Sequence, residues 1–423
     1  MDFAFKGADI LLPKKDLDHT KWSVVACDQY TSEPAYWKEV AEIVGDAPST
    51  YNMILPEVYL NEPDVEKRLS GIGDKMKEYL ASDIFDEYRN AMIYVERTDS
   101  SGKIRAGIVG AIDLEQYDYR KGSTSLVRAT EATVIERIPP RIKVRKNAEV
   151  ELPHIMILID DPGKTVIEPL FEKEMPVLYD FDMMQGGGHL KGSLIDSETM
   201  ESVTEALKKL GNPDQFNRAY GLQDTPVLLF AMGDGNHSLA TAKEFYEQLK
   251  AENPGVDMSA HPARYALVEI VNLHSDALEF EAIHRIVQNI NRKDMLQALY
   301  RDLDLTEAEG RDAAGMQTLE IVMDGERRSC IIGQPSSKLT VGSLQNFLDQ
   351  YLAENGGTID YIHGEDVVLN LSKQENAIGF ILPDMGKEEL FPTVIADGAL
   401  PRKTFSMGHA QDKRFYMECR KIK

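Results

Sequence analysis

The fold of this chain is decided by the stretch Leu228-Leu229-Phe230-Ala231-Met232-Gly233-Asp234-Gly235-Asn236-His237-Ser238-Leu239-Ala240-Thr241-Ala242. Its apolar first part predicts a buried strand over Pro226 to Met232. The apolar positions that follow the turn predict a helix from about Ser238 to Leu249. A helix N-terminus leaves backbone N–H donors unpaired and carries partial positive charge. The turn is therefore a predicted anion site, with phosphate as the first candidate.

Each residue of the turn has a predicted role at such a site. Gly235 lets the backbone approach a ligand closely, and the N–H groups from Asn236 to Leu239 would hold a phosphate oxygen. Asp234 would hold Mg²⁺ or orient a substrate hydroxyl, and His237 would donate to the anion. The alternative is an ordinary strand-to-helix turn in which Asn236 or His237 is a cap. The turn has neither the lysine of a Walker loop nor the third glycine of a dinucleotide fingerprint.

The composition excludes several classes of partner. The 423 residues carry a net charge of −23, and such a surface repels nucleic acid and anionic membranes. The three cysteines are widely spaced, so neither a metal site nor a disulfide framework is predicted, and a reducing, intracellular setting fits. No long apolar segment and no signal-peptide pattern are seen, so we expect a cytoplasmic protein.

Helical and strand patterns alternate along the chain, which predicts a mixed α and β fold of the α+β or α/β class. A core over residues 1–315 and a smaller C-terminal α/β lobe over residues 316–423 are expected. The predicted helices are Asp64–Leu80, Ser197–Gly211 and Asn291–Leu303. The predicted strands are Trp22–Ala26, Met92–Thr98, Lys103–Leu114, Ile155–Ile159, Val177–Phe181, Leu190–Ile195, Tyr265–Asn272 and Phe415–Cys419.

Three further clusters carry candidate ligand-binding residues. Arg128 and Glu131 lie in the segment 127–133, and Arg137 and Arg141 follow it. The arginines would bind an anion with Glu131 as a base, but such a charged segment is also typical of a solvated helix face. The pair His284-Arg285 would contact phosphate through a bidentate guanidinium. The pair Arg402-Lys403 would clamp an anion or belong to a solvated loop.

Together these pieces resemble the domain of unknown function 1015 family, which is grouped with the ParB/sulfiredoxin fold and related to archaeal free-serine kinases. The family's Asp-Gly-His-His-Arg turn is similar to Asp234–Ser238, and its Arg-Pro-His-Glu-Lys-Thr segment is similar to residues 128–133. Its Thr-His-Arg segment is matched at His284 and Arg285, and its Pro-Gln-Lys-Ser-Thr segment at residues 401–404. The resemblance covers nearly the whole chain and implies a ParB/sulfiredoxin-like core.

The resemblance also implies a chemistry. ADP or ATP with Mg²⁺ would bind at the turn, and Glu131 would be the base that activates a small hydroxylated acceptor. The sequence departs from the family pattern where Ala129-Thr130 replaces Pro-His and Ser238 replaces the last Arg of the turn. Without that Arg a bidentate phosphate contact is lost, unless His284-Arg285 or Arg402-Lys403 supplies it.

Two functions follow as hypotheses. The first is a phosphotransferase of the small-molecule kinase type, in which a nucleotide and a small-molecule substrate are the partners. The second is a regulatory protein that binds a nucleotide or another phosphorylated metabolite without chemistry, and the departures at Ala129, Thr130 and Ser238 favour it. The substrate and the oligomeric state do not follow from the sequence.

Overall fold

The computed structural model describes residues 3–31, 33–60, 62–131, 138–308, 315–408 and 410–423. The chain divides into two compact units. The first is Met1–Leu278 with Gly408–Lys423, and the second is Glu279–Met407. The first unit therefore contains both ends of the chain and the turn at Gly235.

The first unit is built from fourteen described strands and seven described helices. The strands are β1 Phe5–Lys6, β2 Ala8–Pro13, β3 Phe85–Ala91, β4 Ile93–Thr98, β5 Ile104–Asp113, β6 Tyr117–Asp118, β7 Val127–Arg128, β8 Val150–Glu151, β9 Met156–Ile159, β10 Val177–Asp182, β11 His189–Leu194, β12 Phe230–Asp234, β13 Tyr265–Asn272 and, near the end of the chain, β22 Arg420–Lys421. The helices are α1 His19–Trp22, α2 Pro34–Val44, α3 Val65–Ala81, α4 Ile138–Asn147, α5 Ser197–Leu210, α6 Pro213–Ala219 and α7 Asn236–Glu252.

Ten of these strands form the main sheet, in the order β10-β11-β4-β5-β13-β9-β12-β7-β6, with β1 added on β5. Pairing is antiparallel from β10 to β13, parallel between β13 and β9, antiparallel between β9 and β12, and parallel from β12 to β6. The strand that feeds the Gly235 turn thus lies between β9 and β7, inside the sheet. Strands β2 with β3 and β8 with β22 form two small separate sheets.

The main sheet is covered on both faces, because successive side chains of a strand point to opposite sides. On β5, Val109 belongs to one hydrophobic cluster, while Ile108 and Ile112 belong to the other. The same alternation on β13 sends Leu267 to the first cluster and Val268 to the second. Helix α7 packs in the second cluster, and burial on that face holds the helix against the sheet.

The second unit contains a six-stranded antiparallel sheet in the order β16-β18-β17-β20-β15-β19. Its described strands are β14 Phe280–Ala282, β15 His284–Gln288, β16 Leu305–Glu307, β17 Thr318–Met323, β18 Glu326–Ile332, β19 Thr358–Ile362, β20 Ala377–Ile381 and β21 Phe405–Met407. Its described helices are α8 Arg292–Asp302, α9 Thr340–Asn355, α10 Glu365–Leu371 and α11 Leu390–Asp397. Since β15 pairs with β19 and β20, the boundary expected after residue 315 lies inside this unit.

The prediction of a mixed α and β fold is confirmed, whereas two predicted strands are wrong. Trp22 ends helix α1, and Val25 makes only an isolated bridge to Phe415. The stretch Phe415–Cys419 is likewise held by isolated bridges, and the described strand after it is β22. Among the described helices, none is long and apolar enough to cross a lipid bilayer.

Candidate functional site

The turn between β12 and α7 requires glycine at position 235. Gly235 has a φ of +82°, and a Cβ at this position would lie 3.1 Å from the Cα of Ile155. The N–H of Leu239 donates to the carbonyl of Gly235 at 3.0 Å, which closes the first turn of α7. The N–H groups of residues 236–238 therefore lie at the open, positive end of a 17-residue helix.

A second segment reaches this turn from the far end of the chain. Val25 forms an antiparallel bridge with Phe415. The N–H of Ala26 donates to the carbonyl of Arg414 at 3.0 Å, and the N–H of Tyr416 donates to that of Val24 at 2.8 Å. The pairing aligns residues 24–28 with residues 413–416 and so brings the polar side chains of both segments together.

His154 joins these segments to helix α7. Its Nε2 lies 3.1 Å from the Oγ of Ser238 and 3.6 Å from an Oδ of Asp28. Its Nδ1 lies 2.9 Å from the hydroxyl oxygen of Tyr416, which also accepts the backbone N–H of Cys27 at 3.1 Å. The imidazole is buried, with 8% of its side chain exposed, so its two nitrogens are held between fixed partners.

Lys413 brings a positive charge to the same turn. Its Nζ lies 3.4 Å from an Oδ of Asp234, and 14% of the lysine side chain is exposed. Burial works to raise the pKa of Asp28, but the positive charge that His154 carries when it is protonated, a hydrogen bond from Gln29 and the charge of Lys413 outweigh burial and lower it. Asp28 is therefore ionised at neutral pH, and the site combines two carboxylates with an ammonium group and a helix N-terminus.

A buried ion network fixes the segment that carries Lys413. The guanidinium of Arg414 donates to Glu269 at 3.0 Å and to Glu418 at 2.6 Å, and the hydroxyl of Tyr179 donates to Glu418 at 2.5 Å. Burial opposes the charge of Arg414, but the two carboxylates outweigh it and raise the pKa of Arg414. Because Glu269 lies on β13, the network anchors this segment to the main sheet.

The structure brings the segment of Glu131 to the turn as well. The backbone N–H of Thr130 donates to the side-chain oxygen of Asn236 at 3.3 Å, and the hydroxyl of Thr130 donates to the carbonyl of Met232 at 2.8 Å. Glu131 is the next residue and is half-buried. Parallel pairing of β7 with β12 accounts for this placement, since both strands end at the same edge.

Arg128 points to the other end of β12. Its guanidinium donates to the carbonyls of Ser125, Pro226 and Val227 at 2.7 to 3.2 Å, and these residues precede the strand. Burial lowers the pKa of Arg128. These contacts fix the backbone that enters β12, at the end of the strand opposite to the turn.

The other predicted residues of the first unit lie either at the start of α7 or in the arginine cluster. Asn236 and His237 are the first two residues of α7, and the carbonyl of His237 accepts the hydroxyl of Thr241 at 2.7 Å. Of the predicted arginine cluster, Arg141 pairs with Glu57, while residues 132–137 lie outside the described ranges.

The remaining four predicted residues belong to the second unit. Arg285 is fully buried and donates to the carbonyls of Ile283 and Arg402 and to the side chain of Gln345. Arg402 donates to Asp349 at 2.6 Å. The Nδ1 of His284 accepts the N–H of Leu382 at 3.3 Å, and Lys403 is exposed. His284, Arg285 and Arg402 thus have protein partners in their own unit.

The contacts of Asp234 do not fit its predicted role as a ligand of Mg²⁺. One carboxylate oxygen accepts the N–H of Gly235 at 2.8 Å, and the other faces Lys413 at 3.4 Å. An ammonium group and a cation would compete for that second oxygen. No group of three His, Cys, Asp or Glu side chains in the described ranges is arranged to hold a metal ion.

Sequence reasoning did not assign Asp28, His154, Lys413 or Tyr416 to the site. His154 directly precedes the predicted strand at 155–159, and that position at a sheet edge was the one available signal. Lys413 and Tyr416 lie 179 and 182 residues beyond Asp234, and no local pattern marks them.

Comparisons with known proteins were made for the whole chain. Among solved structures, a free serine kinase variant in complex with ADP aligns with a TM-score of 0.41 and 12% identity over 76% of this chain and 93% of that chain. A conserved hypothetical protein from Pyrococcus furiosus aligns with a TM-score of 0.38 and 12% identity over 74% and 94%. SbnI from Staphylococcus aureus aligns with a TM-score of 0.35 and 8% identity over 71% and 82%.

Sequence comparison gives a clearer relation. No curated protein matches the chain significantly. A family model described as "Protein of unknown function (DUF1015)" matches residues 10–351, and this match spans well over half of the chain.

Proposed function

Since this chain belongs to the DUF1015 family of proteins of unknown function, we propose its function from the site itself. The protein binds the phosphate groups of ADP or ATP at the turn between β12 and α7 and transfers a phosphoryl group to a small hydroxylated metabolite. The observation that supports this proposal is the convergence of Lys413 and His154 on the N-terminus of α7. A helix N-terminus flanked by a cation and a neutral donor suits a phosphate.

The donors act together on the bound phosphate. The N–H groups of residues 236–238 lie at the positive end of α7, and Gly235 leaves room for a close approach. Lys413 supplies the charge that the family's arginine would have supplied at Ser238. His237 and Asn236, as the first residues of the helix, complete the turn. Phosphoryl transfer depends mainly on positioning and on neutralising charge, and these groups provide both.

Glu131 is the proposed base, because its segment contacts Asn236 through Thr130. The acceptor hydroxyl gives its proton to Glu131 while its oxygen attacks the terminal phosphorus of the nucleotide. The bond from that phosphorus to the bridging oxygen breaks, and the nucleotide leaves one phosphate shorter. Because Asp234 is engaged by Gly235 and Lys413, no step is assigned to a metal on Asp234.

Calorimetry combined with product detection tests this proposal. The protein is titrated with ADP and ATP and then incubated with each nucleotide and a panel of amino acids and other small alcohols, with and without Mg²⁺. Wild type is expected to bind nucleotide and release a phosphorylated product. Glu131→Gln is expected to bind equally and lose turnover, whereas the exposed control Glu201→Gln keeps both. Absence of nucleotide binding, or full turnover by Glu131→Gln, contradicts the proposal.

A non-catalytic binding protein is the second candidate, and the pairing of Asp234 with Lys413 favours it. In this pairing the ammonium group of Lys413 occupies the carboxylate of Asp234, to which a kinase would bind its metal ion. In that case nucleotide or another phosphorylated metabolite binds with the same dependence on Lys413, and no product forms under any condition of the assay.

A further inference from the structure

Two nitrogen atoms with different hydrogen-bonding requirements lie within 3.1 Å of the hydroxyl oxygen of Tyr416, and the side chain of Cys27 also contacts this hydroxyl. The oxygen lies 3.1 Å from the backbone nitrogen of Cys27 and 2.9 Å from the Nδ1 of His154. A backbone N–H can only donate, so the tyrosine oxygen is the acceptor toward Cys27. The imidazole nitrogen can donate or accept, and its role depends on which ring nitrogen holds the proton.

The phenolic proton decides between these roles. Tyr416 is 2% exposed, and burial raises the pKa of Tyr416 well above its usual value, so the phenol keeps its proton. The hydroxyl can donate to His154 Nδ1 at 2.9 Å or toward the thiol of Cys27. A thiol sulfur is a weak acceptor, so Nδ1 is the stronger of the two. If Nδ1 carried a proton instead, the buried hydroxyl would have only the thiol to accept its hydrogen bond, and buried polar groups are rarely left so poorly satisfied.

We propose that Tyr416 is a positioning residue, which holds neutral His154 as the Nε2–H tautomer so that His154 donates a hydrogen bond to the phosphate bound at the turn. This inference rests on the proposed function, because the phosphate is the group to which His154 would donate. The assignment of the tautomer itself comes from the contacts of Tyr416. The Nε2 faces Ser238 at 3.1 Å and Asp28 at 3.6 Å. The carboxylate of Asp28 can only accept and the hydroxyl of Ser238 is able to accept, which is the environment that a donating nitrogen requires.

The arrangement also explains how Ser238 replaces an arginine at the end of the turn. With the proton of His154 on Nε2, the hydroxyl of Ser238, 3.1 Å away, accepts the Nε2–H hydrogen bond. A phosphate oxygen at the N-terminus of α7 takes over that hydrogen bond, and the serine hydroxyl is then released to donate to the same anion. One serine and one histidine of fixed tautomer thereby give two donors at the position of the missing guanidinium.

Nitrogen-15 NMR on histidine-labelled protein tests the tautomer directly. The chemical shifts of the two ring nitrogens distinguish protonated from unprotonated positions, and the signal of His154 is the one of nine that disappears in His154→Gln. Wild type is expected to show an unprotonated Nδ1 and a protonated Nε2. Tyr416→Phe is expected to give a mixture of tautomers. The control Tyr119→Phe removes a hydroxyl that donates to Glu244 on α7 and leaves the spectrum of His154 unchanged.

Titrations with ADP and with inorganic phosphate complete the test. His154→Phe is expected to lower the affinity by roughly tenfold, as for a lost hydrogen bond to a charged group, and His154→Gln to restore part of it through its amide N–H. A protonated Nδ1 in wild type, or an unchanged tautomer in Tyr416→Phe, overturns the inference. If wild type binds neither ADP nor phosphate, the proposed function fails and the donor role fails with it, while the spectra still decide the action of Tyr416 on His154.

Discussion

Two regions of this protein carry the residues that suggest phosphate binding, and their side chains are engaged in different ways. At the turn of the first unit, the N-terminal N–H groups of α7, Lys413 and His154 converge from three parts of the chain. In the second unit, the guanidinium of Arg285 is fully buried and donates to carbonyls of its own unit, and Arg402 pairs with Asp349.

The comparison shows that residue type alone does not identify an anion site. Arg285 and Arg402 were predicted phosphate ligands, yet the structure uses Arg285 to hold Ile283 and the backbone of Arg402 in place. The donors at the turn include backbone groups, which are invisible in a list of charged residues. Four substitutions sharpen this comparison, beginning with the largest expected effect.

Arg285→Met is expected to reduce stability without reducing ligand affinity. It removes the donor from two carbonyls and one side-chain amide in a buried setting, and we expect a loss of about 3 kcal/mol in the free energy of unfolding. Urea unfolding measures this loss, and calorimetry with ADP is expected to give unchanged affinity. The control Arg301→Met changes an arginine of the same unit that is 74% exposed and leaves both quantities unchanged. A large loss of affinity in Arg285→Met would transfer the ligand role to the second unit.

Lys413→Met is expected to show the opposite pattern. It removes the cation of the turn, and the affinity for ADP is expected to fall about ten- to a hundredfold, as for a hydrogen bond to a charged group. The loss of stability is expected to be smaller than in Arg285→Met, since both side chains of the pair with Asp234 keep some contact with solvent. Lys403→Met, which changes an exposed lysine of the second unit, is the matched control. Equal losses of affinity in the two variants would remove the distinction between the regions.

Local sequence patterns predicted most of the architecture around the turn. Strand patterns located β4, β5 and β13. Helix α7 begins two residues before its predicted start at Ser238 and ends three residues after its predicted end at Leu249. The strand before the turn is Phe230–Asp234 and not Pro226–Met232. The carbonyls of Pro226 and Val227 bind the guanidinium of Arg128, and so they are not available for a strand ladder.

The rest of the site depends on contacts that no local pattern encodes. Val25 bridges Phe415, and this pairing of distant segments places Asp28 beside Lys413 and Tyr416. Periodicity reports which face of an element is buried, and it carries no information about which remote segment covers that face. The strand, turn and helix pattern led to Asp234–Ser238 and the resemblance gave Glu131 its role as a base, whereas the place of His154 in the site is seen only in the structure.

Gly235→Ala tests whether the shape of the turn matters in addition to its charges. A side chain at φ +82° is strained, and its Cβ would lie 3.1 Å from the Cα of Ile155. We expect a loss of about 1–2 kcal/mol in the free energy of unfolding, together with weaker ADP binding because the N–H groups are displaced. Gly221→Ala is the control, since Gly221 has φ +65° with nothing within 4 Å of an added Cβ. Equal losses in the two variants would show that Ile155 accommodates the methyl group.

His189 gives the smallest expected effect and lies outside both regions. Burial opposes its charge, but its two ring nitrogens contact Asp182 and Asp180 at 2.7 Å each and these contacts raise the pKa of His189. A raised pKa in the folded state means that the stabilisation is complete below the unfolded value of about 6.5 and is lost as the pH rises through the folded value. The side chain is 37% exposed, so the effect is less than about 1 kcal/mol.

Measurements on His189→Gln also separate the pH dependence of the folding stability from the pH dependence of ADP binding at the turn. His189→Gln is expected to be less stable than wild type in urea at pH 5.5, and the difference is expected to shrink toward pH 8.5, because the neutral imidazole no longer attracts the two aspartates. ADP affinity is expected to be the same in both proteins at each pH, since neither aspartate belongs to the turn. A stability difference that is constant with pH would assign the role of His189 to packing in the hairpin of β10 and β11.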